Sequence, residues 1–205
     1  MNDRWLELAV RVQSIAQAGL YYAKDKYDIE RYEQLREIAA EMLSLRSGIP
    51  VGRIGGFFCN ETGYQTPKVD TRGAVFVDGK LLLVRENSSR WSLPGGWCDV
   101  DQSPASNTVK EVREEAGLTV SVQRLIAVQD WRKHNAVNYV HGVIKLFFMC
   151  AYESGEFEEN IETTGIDFFS RDEIPDELAV EKCTRAQIEL CFAAHDDPTL
   201  PVYFD

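Results

Sequence analysis

The sequence lacks long apolar runs and has few cysteines. No uninterrupted apolar stretch approaches the roughly 20 residues that a membrane-spanning helix needs, and acidic residues break up the first segment. We therefore expect neither a membrane span nor a secretory signal. The five cysteines are scattered and none forms a CxxC pair, which excludes a zinc ribbon and a dithiol redox motif. An odd, scattered set is typical of a reducing compartment, so we expect a cytoplasmic protein.

Basic residues are also scarce. The chain has 22 Lys and Arg against 33 Asp and Glu, which gives a net charge of −11. Proteins that bind long nucleic acids rely on phosphate contacts to Lys and Arg, so we do not expect such a partner. A small anionic substrate remains compatible with this charge, because a bound divalent cation reverses the local field.

The first part of the chain has the apolar spacing of helices. Apolar residues recur at helical intervals over 5–19 and again over 29–45, with Asp28 as the expected N-cap of the second helix. A short helical turn is expected at 51–58. Residues 1–59 are therefore predicted to form a small helical domain. Because so few helices bury little apolar surface, we expect them to pack on the rest of the chain or on a second subunit, as a homodimer.

Residues 60–69 are polar and rich in turn-forming residues, and they are interpreted as a linker. Residues 70–205 form the second predicted domain. Asp78–Gly79 is a strong hairpin signal, and a closing helix is expected at 181–194. The expected strands lie at 73–77, 80–85, 120–129, 139–152 and 166–169. Strands interleaved with helices indicate an α/β fold.

One predicted helix carries a group of acids on a single face. Ser103 suits the N-cap, Pro104 the first turn and Gly117 the position after the end, so the helix is predicted over 104–116. At 100° per residue, its three glutamates share an arc of about 100°; they are Glu111, Glu114 and Glu115. A solvated acidic face is the simplest interpretation of such a group. A hard divalent cation such as Mg²⁺ would offset the repulsion and prefers oxygen ligands.

The segment before this helix favours the metal-site interpretation. Pro94-Gly95-Gly96 allows the backbone to approach a ligand closely, because glycine has no side chain and tolerates positive φ. A glycine-rich turn that leads to an acidic helix is a plausible site for a pyrophosphate group together with a metal ion.

Residues 96–118 resemble the Nudix box, whose pattern is G-x5-E-x7-R-E-U-x-E-E-x-G-U with U a bulky aliphatic residue. Two positions depart from the pattern, since Gln102 replaces the first glutamate and Lys110 replaces the arginine. Gln102 keeps an acceptor without the charge, and Lys110 keeps the charge without the planar fork. The positions that match are Gly96, Glu111, Val112, Glu114, Glu115, Gly117 and Leu118.

The resemblance implies a Nudix-type α/β/α sandwich with a mixed sheet, preceded by the small helical domain. It also implies hydrolysis, with Mg²⁺ (or Mn²⁺), of the pyrophosphate bond in a nucleoside diphosphate linked to another moiety. The N-terminal helices together with FCNETGYQTPKVDTRGAVF and SLPGGWCDV are similar to a bacterial subgroup described as ADP-ribose or CDP-choline pyrophosphatases. The alternative is a Nudix-like module that has lost catalysis and senses a nucleotide, which the changes at Gln102 and Lys110 make conceivable.

The resemblance also implies roles for individual residues. The expected metal ligands are the Gly95 carbonyl, Glu111, Glu114 and Glu115. The base that takes a proton from water is placed on Glu111 or Glu115 ahead of Glu162. Glu158 and Glu159 compete with Glu162 for the role of an acid on a later loop.

Substrate contacts are expected from Gly96, Arg85 and Trp97, the last inside the site loop. Cys98 is interpreted as a packing residue, because no histidine is near it in the sequence. The histidines at 134 and 141 are interpreted as structural. Aromatic residues at 131 and 139 are more typical of core positions than of base stacking.

Overall fold

The computed structural model describes residues 3–135, 140–157 and 160–205, which divide into two compact units. The first unit comprises residues 3–67 with 140–142, and the second comprises 68–135, 143–157 and 160–205. In the described part of the chain, no helix combines the length and the apolar character needed to cross a membrane.

The first unit is helical, as the spacing predicted. Helices α1 (Arg4–Tyr22), α2 (Lys26–Ser47) and α3 (Val51–Phe58) follow one another. The prediction of Asp28 as a cap was wrong, because the side chain of Asp25 accepts the backbone N–H groups of Tyr27 and Asp28 at 2.9 and 3.3 Å. The buried core of this unit consists of Ala9, Ala39, Ala40, Leu43, Ile54 and Phe58.

The second unit is built on one mixed sheet. Its described strands are β1 (Lys68–Val77), β2 (Lys80–Glu86), β3 (Trp91–Ser92), β4 (Leu118–Asp130), β5 (Val143–Gly155), β6 (Thr163–Phe169) and β7 (Tyr203–Phe204). They lie in the order β3-β2-β1-β5-β4-β7, and β6 pairs with β2. The β1–β5 and β4–β7 pairs are parallel and the others antiparallel.

Helices cover both faces of this sheet. On one face, Val112 and Ala116 of α4 (Pro104–Ala116) pack with Val75 and Leu82. On the other face, α6 (Arg185–Asp196) contributes Ile188, Cys191 and Phe192 to a larger apolar cluster. The short helix α5 (Trp131–His134) and a 3₁₀ turn at Arg171–Glu173 lie in the connections. The predicted α/β/α sandwich is confirmed.

Several boundaries differ from the predictions. The closing helix starts at Arg185 rather than at 181, because Thr184 forms a capping box with Gln187. Strand β1 begins at Lys68 rather than at 73, since the parallel partner β5 already pairs with Lys68. The hairpin at Asp78–Gly79 is confirmed, with φ of 51° and 74°. The two-residue strands β3 and β7 were not predicted.

Candidate active site

Helix α4 begins and ends where the sequence predicts. The Ser103 hydroxyl accepts the Ser106 N–H at 3.2 Å, and the Ser106 hydroxyl accepts the Ser103 N–H at 3.0 Å. Gly117 ends the helix in the left-handed conformation, with φ of 71°. Gly73 lies beneath the helix, where an added Cβ would be 2.8 Å from Val112. The helix therefore lies close against β1 and its glutamates are fixed relative to the sheet.

The Pro94–Gly96 bend is anchored on β1. The Thr71 N–H donates to the Gly96 carbonyl at 2.8 Å, and the Gly73 N–H donates to the Pro94 carbonyl at 2.9 Å. Gly95 has φ of 143°, and a Cβ there would lie 2.0 Å from the Thr71 carbonyl oxygen. Both the conformation and the close approach require glycine at this position.

Glu115 joins the helix to the bend. Its carboxylate is buried and accepts the Gly95 N–H at 2.8 Å. Burial raises the pKa of Glu115 to about 7, although the nearby Arg72 charge and the Gly95 hydrogen bond act in the opposite direction. The side chain is thus a carboxyl group that titrates near neutral pH and is held at the glycine bend.

Glu111 lies against the second glycine of the bend. A Cβ on Gly96 would be 2.8 Å from Oε2 of Glu111, so a larger residue there would displace this carboxylate. Burial raises the pKa of Glu111; the Lys110 charge opposes this increase and the Glu114 charge adds to it. The bend and the helix therefore bring Gly95, Gly96, Glu111 and Glu115 together.

Lys110 places a cation among the carboxylates. Its Nζ lies 2.8 Å from Glu114, 3.3 Å from Asp99 and 3.5 Å from Glu111. Hydrogen bonding to Glu114 raises the pKa of the Lys110 ammonium, which stays charged. Glu111 and Glu114 therefore face a common point that already attracts a positive charge.

The donor chemistry of this region fits a hard divalent cation. Glu111, Glu114 and Glu115 supply carboxylate oxygens, which Mg²⁺ prefers, and burial disfavours the anionic forms of Glu111 and Glu115. In the side-chain arrangement of residues 3–135, 140–157 and 160–205, no three His, Cys, Asp or Glu side chains form a ready-made metal cluster. The Gly95 N–H holds Glu115, and the Lys110 ammonium lies against both Glu111 and Glu114. Metal binding would therefore require these side chains to exchange partners.

A buried ionic group that was not predicted from the sequence lies beneath the bend. Asp70 receives two hydrogen bonds from Arg72, at 2.6 and 2.9 Å, and one from Lys145 at 2.9 Å. All three residues are buried, and Arg72 also donates to the Leu93 carbonyl at 3.2 Å. The two cations hold the pKa of Asp70 below its usual range despite its burial. The alternation of Asp70 and Arg72 in the first half of an otherwise apolar strand was the available signal.

The loop before β6 approaches the end of α4. The Asn160 amide donates to the Glu115 backbone carbonyl at 3.3 Å, and its oxygen accepts the Glu162 N–H at 3.0 Å. Glu162 lies on this loop and is exposed. Its competitors Glu158 and Glu159 lie outside the described residues. The sequence did not single out Asn160, since its contact depends on the tertiary fold.

Two of the expected substrate contacts, Arg85 and Trp97, lie on different segments of the chain. Arg85 is exposed near the end of β2 and is paired in register with Trp91. Trp97 is 47% exposed and forms an isolated bridge with Asp70. Arg85 therefore lies on the face of the sheet where Trp91 packs, opposite α4, whereas Trp97 directly follows the bend.

The remaining candidates have structural surroundings. Burial raises the pKa of the Cys98 thiol, and the Asp99 and Glu111 charges add to this effect, so a thiolate nucleophile is disfavoured. His134 bonds to Asp205 at 2.8 Å, and Trp131 is buried. Tyr139 lies outside the described residues.

Comparison with known families matches both parts of the chain. Residues 3–58 match a family described as the UDP-X-like, N-terminal oligomerisation domain of Nudix proteins. Residues 67–188 match the NUDIX domain family.

Two of the individual relatives cover nearly the whole chain, and a third covers about two thirds of it. The YjhB protein of Bacillus subtilis, whose name provisionally assigns ADP-ribose pyrophosphatase activity, is 42% identical over all of this chain and 99% of its own. A solved structure named UDP-X diphosphatase is 33% identical, covers 98% of each chain and has a TM-score of 0.65. The structure of an ADP-ribose pyrophosphatase from Streptococcus suis is 48% identical over 68% of this chain and 100% of that chain, with a TM-score of 0.64.

Proposed function

The chain belongs to the Nudix family and is a Nudix pyrophosphohydrolase acting on nucleoside diphosphate-linked compounds, and we propose that it hydrolyses ADP-ribose with Mg²⁺ or Mn²⁺. The observation that carries the proposal is the contact of the Glu115 carboxylate with the Gly95 N–H, beside Glu111 at Gly96. The names of the B. subtilis and S. suis relatives support ADP-ribose, and CDP-choline stays in the proposed substrate class.

The proposed reaction consumes one water molecule. Its oxygen forms a bond to one phosphorus atom, and the bond from that phosphorus to the bridging oxygen breaks. A glutamate takes the proton of the attacking water, and the departing phosphate carries away the bond electrons. ADP-ribose would thereby give AMP and ribose 5-phosphate.

We propose that Glu111, Glu114, Glu115 and the Gly95 carbonyl hold the divalent ion. When bound, such an ion neutralises charge on the phosphates and orients water. The Gly95–Gly96 backbone lets the diphosphate approach closely, and burial of Glu115 excludes bulk water from one side of the site.

The proton acceptor is placed on Glu111 or Glu115, ahead of Glu162. Both α4 glutamates lie at the bend, where the substrate is expected. Glu162 is exposed, but Asn160 ties its loop to α4, so it remains the second candidate. Gly96, Arg85 and Trp97 are proposed to contact the substrate.

The changed box positions bear on the alternative of a catalytically weak sensor. Lys110 retains contacts to Glu111, Glu114 and Asp99, which supports a working site. Gln102 lacks the carboxylate of the pattern. We therefore propose that activity is retained with weakened metal affinity.

We further propose that the protein is a homodimer formed through its N-terminal helices. Residues 3–58 match a family whose description names it an oligomerisation domain. On α1, Ile15 and Tyr22 lie two turns apart and are 60% and 67% exposed.

A cytoplasmic location is proposed because all five cysteines are free.

The proposed function is tested by incubating purified protein with Mg²⁺ and a substrate panel. The panel contains ADP-ribose, CDP-choline, UDP-glucose, NADH, a nucleoside triphosphate and 5′-triphosphorylated RNA, with products separated by anion-exchange chromatography. Release of AMP from ADP-ribose, abolished by EDTA and restored by Mg²⁺, supports the proposal. Tight binding of ADP-ribose without turnover would favour the sensor instead.

A further inference from the structure

A segment far from α4 in sequence runs beside the strand that leads into the glycine bend. The Trp91 N–H donates to the Glu177 carbonyl, and the Ala179 N–H donates to the Trp91 carbonyl, both at 2.8 Å. Residues 177–179 are thus hydrogen-bonded to β3, directly before Leu93 and Pro94, and Lys182 follows them closely. This pairing brings Lys182 near the site, although nothing in the local sequence indicates it.

Two ion pairs hold this segment in place. The guanidinium of Arg90 donates two hydrogen bonds to the Glu181 carboxylate, one of them at 2.8 Å. Nζ of Lys182 lies 2.6 Å from Oε1 of Glu86, which also accepts the Ser92 hydroxyl at 3.2 Å. The ammonium of Lys182 is therefore fixed by neighbours rather than extended into solvent.

These contacts place Lys182 on the face of the sheet that α4 covers. Ser92 is paired in register with Val84, and Val84 packs in the same cluster as Val112 of α4. Because paired residues point to the same face, Ser92 and the Glu86 carboxylate bonded to it lie on the α4 side. In agreement, the positive charge of Lys182 opposes the rise that burial causes in the pKa of Glu115.

Lys182 differs from Arg72 and Lys110, two other cations near these glutamates. Asp70 and the Leu93 carbonyl bind the buried guanidinium of Arg72, and three carboxylates surround Lys110. The side chain of Lys182 is 38% exposed, and Glu86 accepts one of its three N–H donors. Its remaining donors can reach an anion that enters from solvent.

We propose that Lys182 binds a non-bridging oxygen of the substrate's diphosphate and that Glu86 positions its ammonium. The proposal rests on the proposed function, since it assigns a residue to the same site. A point charge on a flexible stem suits a phosphate oxygen. It also adds positive charge to a site where Glu111, Glu114, Glu115 and Asp99 outnumber the Lys110 ammonium.

The test compares Lys182→Gln, Lys182→Arg and a matched control, Lys80→Gln. Lys80 is an exposed lysine at the start of β2, 3.9 Å from Glu173. Each protein is assayed for ADP-ribose hydrolysis and, by calorimetry with Mg²⁺, for binding of the non-hydrolysable α,β-methylene ADP-ribose. Thermal unfolding checks that the variants are folded.

We expect Lys182→Gln to raise KM and weaken analogue binding by about 10- to 100-fold, as for loss of a charged hydrogen bond. Lys182→Arg should recover much of the binding, and Lys80→Gln should match the unsubstituted protein. If Lys182→Gln equals Lys80→Gln in both assays, the assignment of Lys182 is wrong while the proposed function stands. If the unsubstituted protein cleaves no substrate, the proposed function fails, and analogue binding alone decides the role of Lys182.

Discussion

At the scale of single residues, the site depends on how closely backbone and carboxylate approach each other. Gly95 donates its N–H to Glu115 while its α-carbon faces the Thr71 carbonyl. Gly96 leaves space for Glu111. The glycines therefore position the acids, in addition to allowing a ligand to approach.

Replacement of Gly95 by alanine should therefore damage both folding and activity. The added Cβ would lie 2.0 Å from a backbone oxygen at a φ of 143°. We expect a loss of about 1–3 kcal/mol in the free energy of unfolding, measured with urea, and a large fall in kcat.

Gly165 in β6 provides the matched control. An added Cβ at Gly165 meets nothing within 4 Å. Gly165→Ala should leave stability unchanged or raise it by about 0.4–1 kcal/mol. Equal effects of the two substitutions would contradict the role given to the bend.

At the scale of secondary-structure elements, buried charges link the two central parallel strands. Asp70 and Arg72 lie on β1, and Lys145 on β5 is paired in register with Asp70. The ionic group supports the end of the sheet where the bend docks, because Arg72 also bonds to the Leu93 carbonyl.

Asp70→Asn should destabilise the protein by about 3–5 kcal/mol, because two buried cations would lose their carboxylate. Urea unfolding at neutral pH measures this, with Asp172→Asn in the exposed 3₁₀ turn as the control. A loss below about 1 kcal/mol would show that the buried group contributes little.

The same group predicts a pH dependence. The pKa of Asp70 is lower in the folded chain than in an unfolded one. Its contribution to stability is therefore complete above the usual Asp range and is lost as the pH falls through the lowered value. Between pH 6 and pH 3, the stability difference between the unsubstituted protein and Asp70→Asn should narrow; a constant difference would contradict this assignment.

Local signals explain which elements the sequence predicted. Helix α4 carries its own start and stop signals in Ser103 and Gly117, and the Asp78–Gly79 turn fixes its hairpin. Strands β3 and β7 have two residues each and exist through pairing with distant segments, so no local pattern indicates them. Likewise, the residue spacing along α4 predicted that its glutamates share one face. The positions of Asn160 and Lys182 depend on tertiary contacts, which the local sequence does not indicate.

At the scale of the whole molecule, each compact unit has its own apolar core. The helical unit also exposes large apolar side chains, including Leu45 at 84% and Tyr22 at 67%. Exposed apolar groups of this size are typical of association surfaces.

The proposed homodimer predicts a mass twice the 23.3 kDa of one chain by light scattering coupled to size exclusion. A double substitution, Ile15→Glu with Tyr22→Glu, should shift the protein to monomer by placing charges on the exposed face of α1. Ile161→Glu, at an exposed apolar residue of the other unit, is the control. A monomer before any substitution would contradict the proposal.

The most direct test of the account is the rate of Mg²⁺-dependent AMP release from ADP-ribose by the unsubstituted protein, Glu114→Gln and Glu115→Gln. Both carboxylates are proposed to hold the divalent ion, so each substitution should lower kcat by about 100-fold or more while the fold is retained. Full activity in both variants would contradict the acidic face of α4 as the catalytic centre.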